Sequence, residues 1–324
     1  MIDSIKNILI THNIDSDYKL KKINSGTNNK VYLVYKKNKK YILKIFLNKK
    51  RFIKEKIFLE YINNISYPYI PQIIDSNCAN KSIITSYLPG SNVKKLTKKK
   101  IIKIIDFIKN INQNINYKHS KKIEFATDYC DSLIEHINLV EKKLNQFKLL
   151  NNKNDLNIKV INFIDTKIKI IFNKYKKEIY KNLEYKKLKK KYDKNYYILS
   201  PSDFNFKNII EFKSNLYFYD FEYSGKDDPL KLILDFCCQP DFFISKNHKN
   251  FFLIEFIKQL NLDDQLYLYF NYFLKLNHIK WCLILLNSFN KNVKKRRIHS
   301  GILNENYLEN QLKKAINYFN LNLI

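Results

Sequence analysis

The stretch from Leu199 to Glu222 limits what this chain can fold into more than any other part of it. In Leu199-Ser200-Pro201-Ser202-Asp203-Phe204-Asn205-Phe206-Lys207-Asn208 an Asp and an Asn stand in a D-x-x-x-x-N spacing. In Leu216-Tyr217-Phe218-Tyr219-Asp220-Phe221-Glu222 a second Asp closes an apolar, aromatic run. Ile209–Phe212 reads as a strand and Lys213–Asn215 as a turn, so the segment predicts a hairpin that sets Asn208 beside Asp220. A carboxylate and an amide oxygen are hard donors suited to Mg2+. Asp203, just ahead of them, is a carboxylate able to orient a hydroxyl and take its proton. Taken singly, such an Asp caps a strand end; the joint spacing gives the group its meaning.

Around this island the texture of the chain changes once. Up to about residue 88 the β-prone runs Tyr18–Ile23, Val31–Tyr35, Tyr41–Phe46, Gln72–Asp75 and Ser82–Tyr87 dominate, with one helix expected over Lys50–Ile62. Beyond Pro89-Gly90 the period becomes helical. Ile101, Ile104, Ile105 and Ile108 mark one helix, and Leu133, Ile137, Val140, Leu144 and Phe147 another. Ile158–Leu188 is again helical, and the remainder, Asp228–Ile324, reads as helices, with Asp228-Pro229 as a cap and first turn. A β-rich piece joined to a helical piece at a Pro-Gly link is an α+β chain with a cleft expected at the joint.

Two features of the β-rich piece face that cleft. Gly26 lies between two expected strands in Ser25-Gly26-Thr27-Asn28-Asn29-Lys30, and the chain has only 4 glycines. A Gly there lets backbone N–H groups approach a phosphate, although a plain hairpin turn has the same composition. Lys44 interrupts the apolar run Tyr41-Ile42-Leu43-Lys44-Ile45-Phe46. A buried ammonium needs a partner, and the next helix offers Glu55 or Glu60, both at helical spacing from apolar neighbours; Glu55, on the line Phe52–Glu55–Leu59–Ile62, is preferred.

In this order the four elements resemble those of the aminoglycoside phosphotransferase and choline kinase-like superfamily, in a branch where Ser-Pro-Ser-Asp replaces His-Gly-Asp. Leu199–Pro240, with Asp227-Asp228-Pro229-Leu230-Lys231-Leu232, carries the likeness most strongly, and Lys280-Trp281-Cys282-Leu283 adds to it. The resemblance implies a protein-kinase-like bilobal fold. Its small antiparallel β N-lobe (1–88) would bind nucleotide, and its larger, mainly helical C-lobe (89–324) would hold the catalytic loop and acceptor site. It implies Asp203 as catalytic base, Asn208 and Asp220 as Mg2+ ligands, and Lys44 and the Gly26 loop on the phosphates of ATP or GTP. Glu55 would hold Lys44, and Tyr87, between Ser86 and Leu88, would lie at the hinge near the adenine. The implied reaction is phosphoryl transfer to a small-molecule hydroxyl of a sugar, amino sugar or amino alcohol. Asp131, Glu135 and His136 are conceivable acceptor contacts, and Asp235 receives no role. No Gly-x-Gly-x-x-Gly loop and no Ala-Pro-Glu segment is present, which argues against a protein kinase.

Composition bears on the competing readings. A net charge of +29 suggests nucleic acid, yet the only arginines are Arg51, Arg296 and Arg297. Phosphate and base readout favours the Arg fork, and joint enrichment in Lys, Ile, Asn, Tyr and Phe follows from AT-rich codons. No specific nucleic-acid partner is therefore expected. The apolar runs are too short for a membrane span, and the 5 cysteines form no C-x-x-C pair, so a cytoplasmic protein without a membrane partner is expected. A nucleotide-binding pseudokinase is the main alternative; retention of Lys44, Asp203, Asn208 and Asp220 favours the enzyme.

Overall fold

A computed structural model describes every residue except 1, 15–17, 24–27, 114–121 and 151–153. Helix α1 (Ile2–Ile10) precedes strands β1 (Tyr18–Ile23), β2 (Lys30–Lys36) and β3 (Lys39–Ile45). Helix α2 (Lys49–Asn64) follows, then β4 (Ile73–Asn77) and β5 (Ser82–Ser86). The strands form one antiparallel sheet in the order β1-β2-β3-β5-β4. Strand alternation sorts its two faces. Leu43, Ile45 and Ile84 join Ile5 and Leu9 of α1 in one buried cluster, while Ile83 joins Phe46 and Phe52 in another, under α2. Lys44 is paired with Val31 and Ile83 in the sheet and so lies on the α2 face.

The amphipathic α1 was not expected from its brief apolar patch. Its tail is fastened by His12, whose Nδ1 lies 2.6 Å from Asp75 Oδ2 and whose Nε2 lies 2.8 Å from Ser82 Oγ. That Ser-His-Asp chain resembles a nucleophile relay, but Ser82 is fully buried and no substrate reaches it; the chain is a clamp.

The larger part is helical: α3 (Lys98–Asn112), α4 (Leu133–Asn145), α5 (Asp155–Phe163), α6 (Lys169–Asn182), α7 (Tyr185–Lys189), α8 (Pro229–Cys238), α9 (Lys246–Leu260), α10 (Gln265–Leu286), α11 (Lys291–Ser300) and α12 (Glu305–Leu323). The helical stretch expected over Ile158–Leu188 is several pieces. A π-helical turn at Ile164–Ile168 joins α5 to α6, and the chain is extended at Leu183 before α7. Apolar residues continue across that break, so periodicity alone did not register it. The long α10 packs against α4, α8 and α12 and centres the core. Among the described residues, no helix is long and apolar enough to cross a membrane.

Inside this lobe lies the strand island. Strand β7 (Ile198–Ser200) pairs with β10 (Gly225–Asp227), and β6 (Ser91–Asn92) pairs with β8 (Ile209–Phe212), which pairs with β9 (Asn215–Phe218). The β8–β9 turn has Lys213 and Ser214 at φ 45° and 65°, the left-handed pair that suits a two-residue hairpin. Phe218 of β9 stacks on Phe107 of α3 at 4.1 Å and 7°, fixing the hairpin over the core.

The link between the two parts is pressed onto this hairpin. Gly90 has φ +113°, and a Cβ there would stand 2.3 Å from the Glu211 carbonyl oxygen and 2.8 Å from Ile210 Cγ2. Gly90→Ala is expected to lower stability by roughly 1–3 kcal/mol through backbone strain and displacement of β8. Urea unfolding of the two proteins checks this; an unchanged midpoint would show that the link yields freely.

Candidate active site

Three segments distant in sequence meet at Lys44. From β3 its Nζ lies 2.6 Å from Glu55 Oε2 on α2 and 2.6 Å from Asp220 Oδ1, just past β9. Glu60 points elsewhere, pairing with Lys56 on the helix surface, so the Glu55 alternative is the one that meets Lys44. Burial works against the Lys44 charge, but Asp220, Glu55 and Glu222 outweigh it and hold its pKa above the ordinary lysine value. The carboxylates crowd one another: Glu55, Asp220 and Glu222 each bring an oxygen within 4.8 Å of the others. Burial foremost, against Lys44 but with help from Asp220 and Glu222, raises the Glu55 carboxyl above the usual carboxylate range.

The loop after β7 supplies the second half. Asn208 Nδ2 donates to the Asp203 carbonyl at 2.9 Å, and Asn205 Nδ2 donates to Asp203 Oδ1 at 2.8 Å. The hairpin closes as expected, with Tyr219 N donating to Asn208 O at 3.1 Å, which places Asp220 next to Asn208. Because the Asn208 amide nitrogen is turned to Asp203, its amide oxygen is the end left to meet a cation, with the Asp220 carboxylate alongside. That oxygen donor set fits Mg2+. Asp220 itself has φ 69°, a left-handed backbone that costs a non-glycine residue about 1–2 kcal/mol. Burial, then the Asp220 charge, pushes Asp203 up to about 6.

Residues that the sequence reading passed over complete the site. Glu222, almost wholly buried, accepts from Asn29 Nδ2 at 2.5 Å, Asn28 Nδ2 at 2.6 Å and Arg51 Nη1 at 2.9 Å. It thereby ties the segment after Asp220 to the β1–β2 connection and to the first turn of α2. Despite burial, Lys44 and Arg51 hold its carboxyl below the usual range. Lys231 of α8 braces the loop after β7. Its Nζ donates to Ser202 Oγ at 3.0 Å and Asp227 Oδ2 at 2.7 Å, and lies 3.5 Å from Asp235 Oδ2. Asp235 in turn pairs with Lys280 and accepts from Trp281 Nε1 at 3.1 Å. The i, i+4 spacing of Asp227, Lys231 and Asp235 was the available signal. Ser202 has φ 62°, so the braced residue is also a strained one.

Other expected positions fall as follows. Gly26 lies outside the described residues. Tyr87 stands just past β5, partly exposed, with Lys40 Nζ 5.5 Å from its ring centre. Asp228 caps α8 by accepting from Leu230 N at 2.8 Å. His136 is not on an exposed face: it is buried and bonded to Asp228 Oδ2 at 2.6 Å, because α4 turns it toward the core. Asp131 pairs with Lys191, and Glu135 accepts from Asn138.

The architecture is a protein-kinase-like fold: mixed α+β and bilobal, with an antiparallel N-terminal sheet and a helical remainder. A spectinomycin phosphotransferase solved with ADP and spectinomycin matches at a TM-score of 0.63 and 14% identity, over 98% of each chain. A choline kinase from Streptococcus pneumoniae matches at 0.61 and 16%, over 98% of each chain. A choline kinase from Cryptosporidium parvum matches at 0.57 and 19%, over 100% of this chain and 98% of the other. At these identities the likeness establishes the fold. No family model and no curated protein matches the sequence.

Two outcomes follow from the buried charges. Lys231→Met leaves Asp227, which has no accessible surface, without its cation; stability should fall by about 3–5 kcal/mol in chemical denaturation. For Asp203 the sign runs the other way. Its folded pKa of about 6 lies above the unfolded value of roughly 3.9. The folded state therefore holds the proton more tightly, and stability falls as pH rises through that window. Asp203→Asn removes this penalty, so its gain over wild type should be about 1 kcal/mol larger at pH 8 than at pH 5. Equal differences at both pH values would contradict the raised pKa.

Proposed function

We propose that the chain is a nucleotide-dependent phosphotransferase acting on the hydroxyl of a small molecule, a sugar, amino sugar or amino alcohol. The observation that carries this reading is the double ion pair of Lys44, at 2.6 Å to Glu55 and 2.6 Å to Asp220, with Asp203 and Asn208 hydrogen-bonded beside it. Residues 1–88 act as the nucleotide lobe and 89–324 as the lobe of the catalytic loop and acceptor. Lys44, oriented by Glu55, meets the phosphates of ATP or GTP, Gly26 is read as a further phosphate contact, and Tyr87 lies near the base. Asn208 and Asp220 hold Mg2+, which neutralises charge on the transferring phosphoryl group when bound. Asp203 orients the acceptor hydroxyl and takes its proton; with its pKa at about 6 it is the free base at neutral pH and a better proton acceptor than an ordinary Asp. Lys231 keeps Ser202, and so the loop, in place.

Substitutions at the two aspartates should fail differently. Asp203→Asn should lower kcat by ~10²–10⁴-fold and leave Mg-nucleotide affinity near wild type. Asp220→Asn should lower turnover and also weaken nucleotide binding that depends on Mg2+. Single-turnover assays across a panel of sugars and amino alcohols, with ATP and GTP titrations with and without Mg2+, measure both. Undiminished turnover in Asp203→Asn would remove that residue from the chemistry. Wild-type protein that binds nucleotide but phosphorylates nothing would indicate a pseudokinase.

A further inference from the structure

In a chain whose cations are almost all lysine, its arginines gather at one place. Arg51 lies far in sequence from the adjacent pair Arg296 and Arg297, yet all reach the cluster formed by Asn28, Glu222 and Tyr223. Arg51 donates to Glu222 at 2.9 Å, and its guanidinium lies 4.3 Å from the Tyr223 ring centre. Arg296 Nε, at 3.3 Å, and Arg297 Nη1, at 2.8 Å, both donate to Asn28 Oδ1, an uncharged amide oxygen. Asn28 and Tyr223 are themselves joined at 3.0 Å. The cluster borders the reacting groups, since a Glu222 oxygen lies within 4.8 Å of one from Asp220. It also lies at the junction of the phosphate-side connection and α11.

Glu222 already serves Arg51 and two Asn amides. Arg296 is half-buried with its charge disfavoured: burial first, then Arg51 and, further on, Arg297 press its pKa down, against weaker help from Tyr223 and Glu222. Guanidinium groups brought together against their own repulsion form a fork-shaped receptor for a planar or tetrahedral oxyanion. Arg51 shows that the corner tolerates such an anion, because Glu222 occupies one side of it.

Resting on the phosphotransferase reading, we propose that Arg51, Arg296 and Arg297 bind an anionic group of the acceptor. Among the acceptors proposed above, the preferred one is then a sugar that already carries a phosphate or carboxylate, a sugar phosphate or a sugar acid, over its neutral parent. The anion is held beside Asp220 and presents its hydroxyl to Asp203. The shared oxyanion chemistry has a second source in the γ-phosphate of the nucleotide, so the test must separate the two.

Inorganic phosphate is titrated into protein saturated with Mg2+ and AMP-PNP, with chloride at matched ionic strength as the control. The γ position is filled in this state. The expected result is phosphate binding with AMP-PNP retained, weakened about tenfold or more in Arg51→Gln and in Arg296→Gln. Arg51→Gln leaves Glu222 without its cation, so Arg296→Gln, checked for an unchanged melting midpoint, decides. In turnover assays, sugar phosphates or sugar acids should exceed their neutral parents, and Arg296→Gln should erase that preference. Phosphate that displaces AMP-PNP would assign the arginines to the nucleotide and overturn the proposal. So would phosphate binding no tighter than chloride, or equal binding by the variants. Loss of AMP-PNP binding by the wild type would overturn the phosphotransferase reading as well, which keeps the two failures distinct.

Discussion

The site depends on a single ammonium shared by two carboxylates. Lys44 interrupts the apolar run Tyr41–Ile45 of β3 and is enclosed by α2 and by the segment after β9. Without Glu55 and Asp220 its burial would be prohibitive, and without Lys44 three acidic groups would repel one another at close range. Each partner is anchored by its own framework: Glu55 by a helix packed through Phe52, Phe58 and Leu59, Asp220 by a hairpin stacked on Phe107. The ion pair thus converts the positions of two hydrophobic units into the position of a charge.

A second charged layer supports the first from below. Asp227, Lys231, Asp235 and Lys280 alternate in sign through the interior of the larger lobe, ending at Ser202 beneath Asp203. Alternation lets each charge be met on both sides, which is how a buried ionic chain avoids an uncompensated member. It also couples the loop after β7 to the buried helices α8 and α10. A loop holding Ser202 in a left-handed conformation needs such support.

How much of this could be read beforehand follows from the range of each interaction. The hairpin that joins Asn208 to Asp220, the Asp228 cap and the helix bearing Glu55 are local, and their residues announce them. Lys44 was legible because an ammonium in an apolar run demands a partner. Glu222, Arg51 and Arg296 were not, since each looks like an ordinary surface charge until the chain brings residues 28, 51, 222 and 296 together. His136 was read only as a conceivable acceptor contact, because helical spacing gives a stripe without its rotation against neighbours, and its bond to Asp228 could not be seen. Helix α1 escaped notice because a short helix takes its stability from the sheet it covers.

The β8–β9 hairpin has a consequence for the order in which the molecule assembles. Its two-residue turn and adjacent strands close a very short loop, and hairpins of this kind form in about 1–10 μs. Asn208 and Asp220 are therefore brought together by a local closure that needs little of the rest of the chain. The contact from Lys44 to Asp220 spans 176 residues and bears the full entropy of closing that loop. Parting the lobes breaks that long-range contact while the hairpin stays intact. The half of the site proposed to hold the metal thus outlives the half proposed to hold the phosphates, and breathing of the cleft leaves the former preassembled at each reopening.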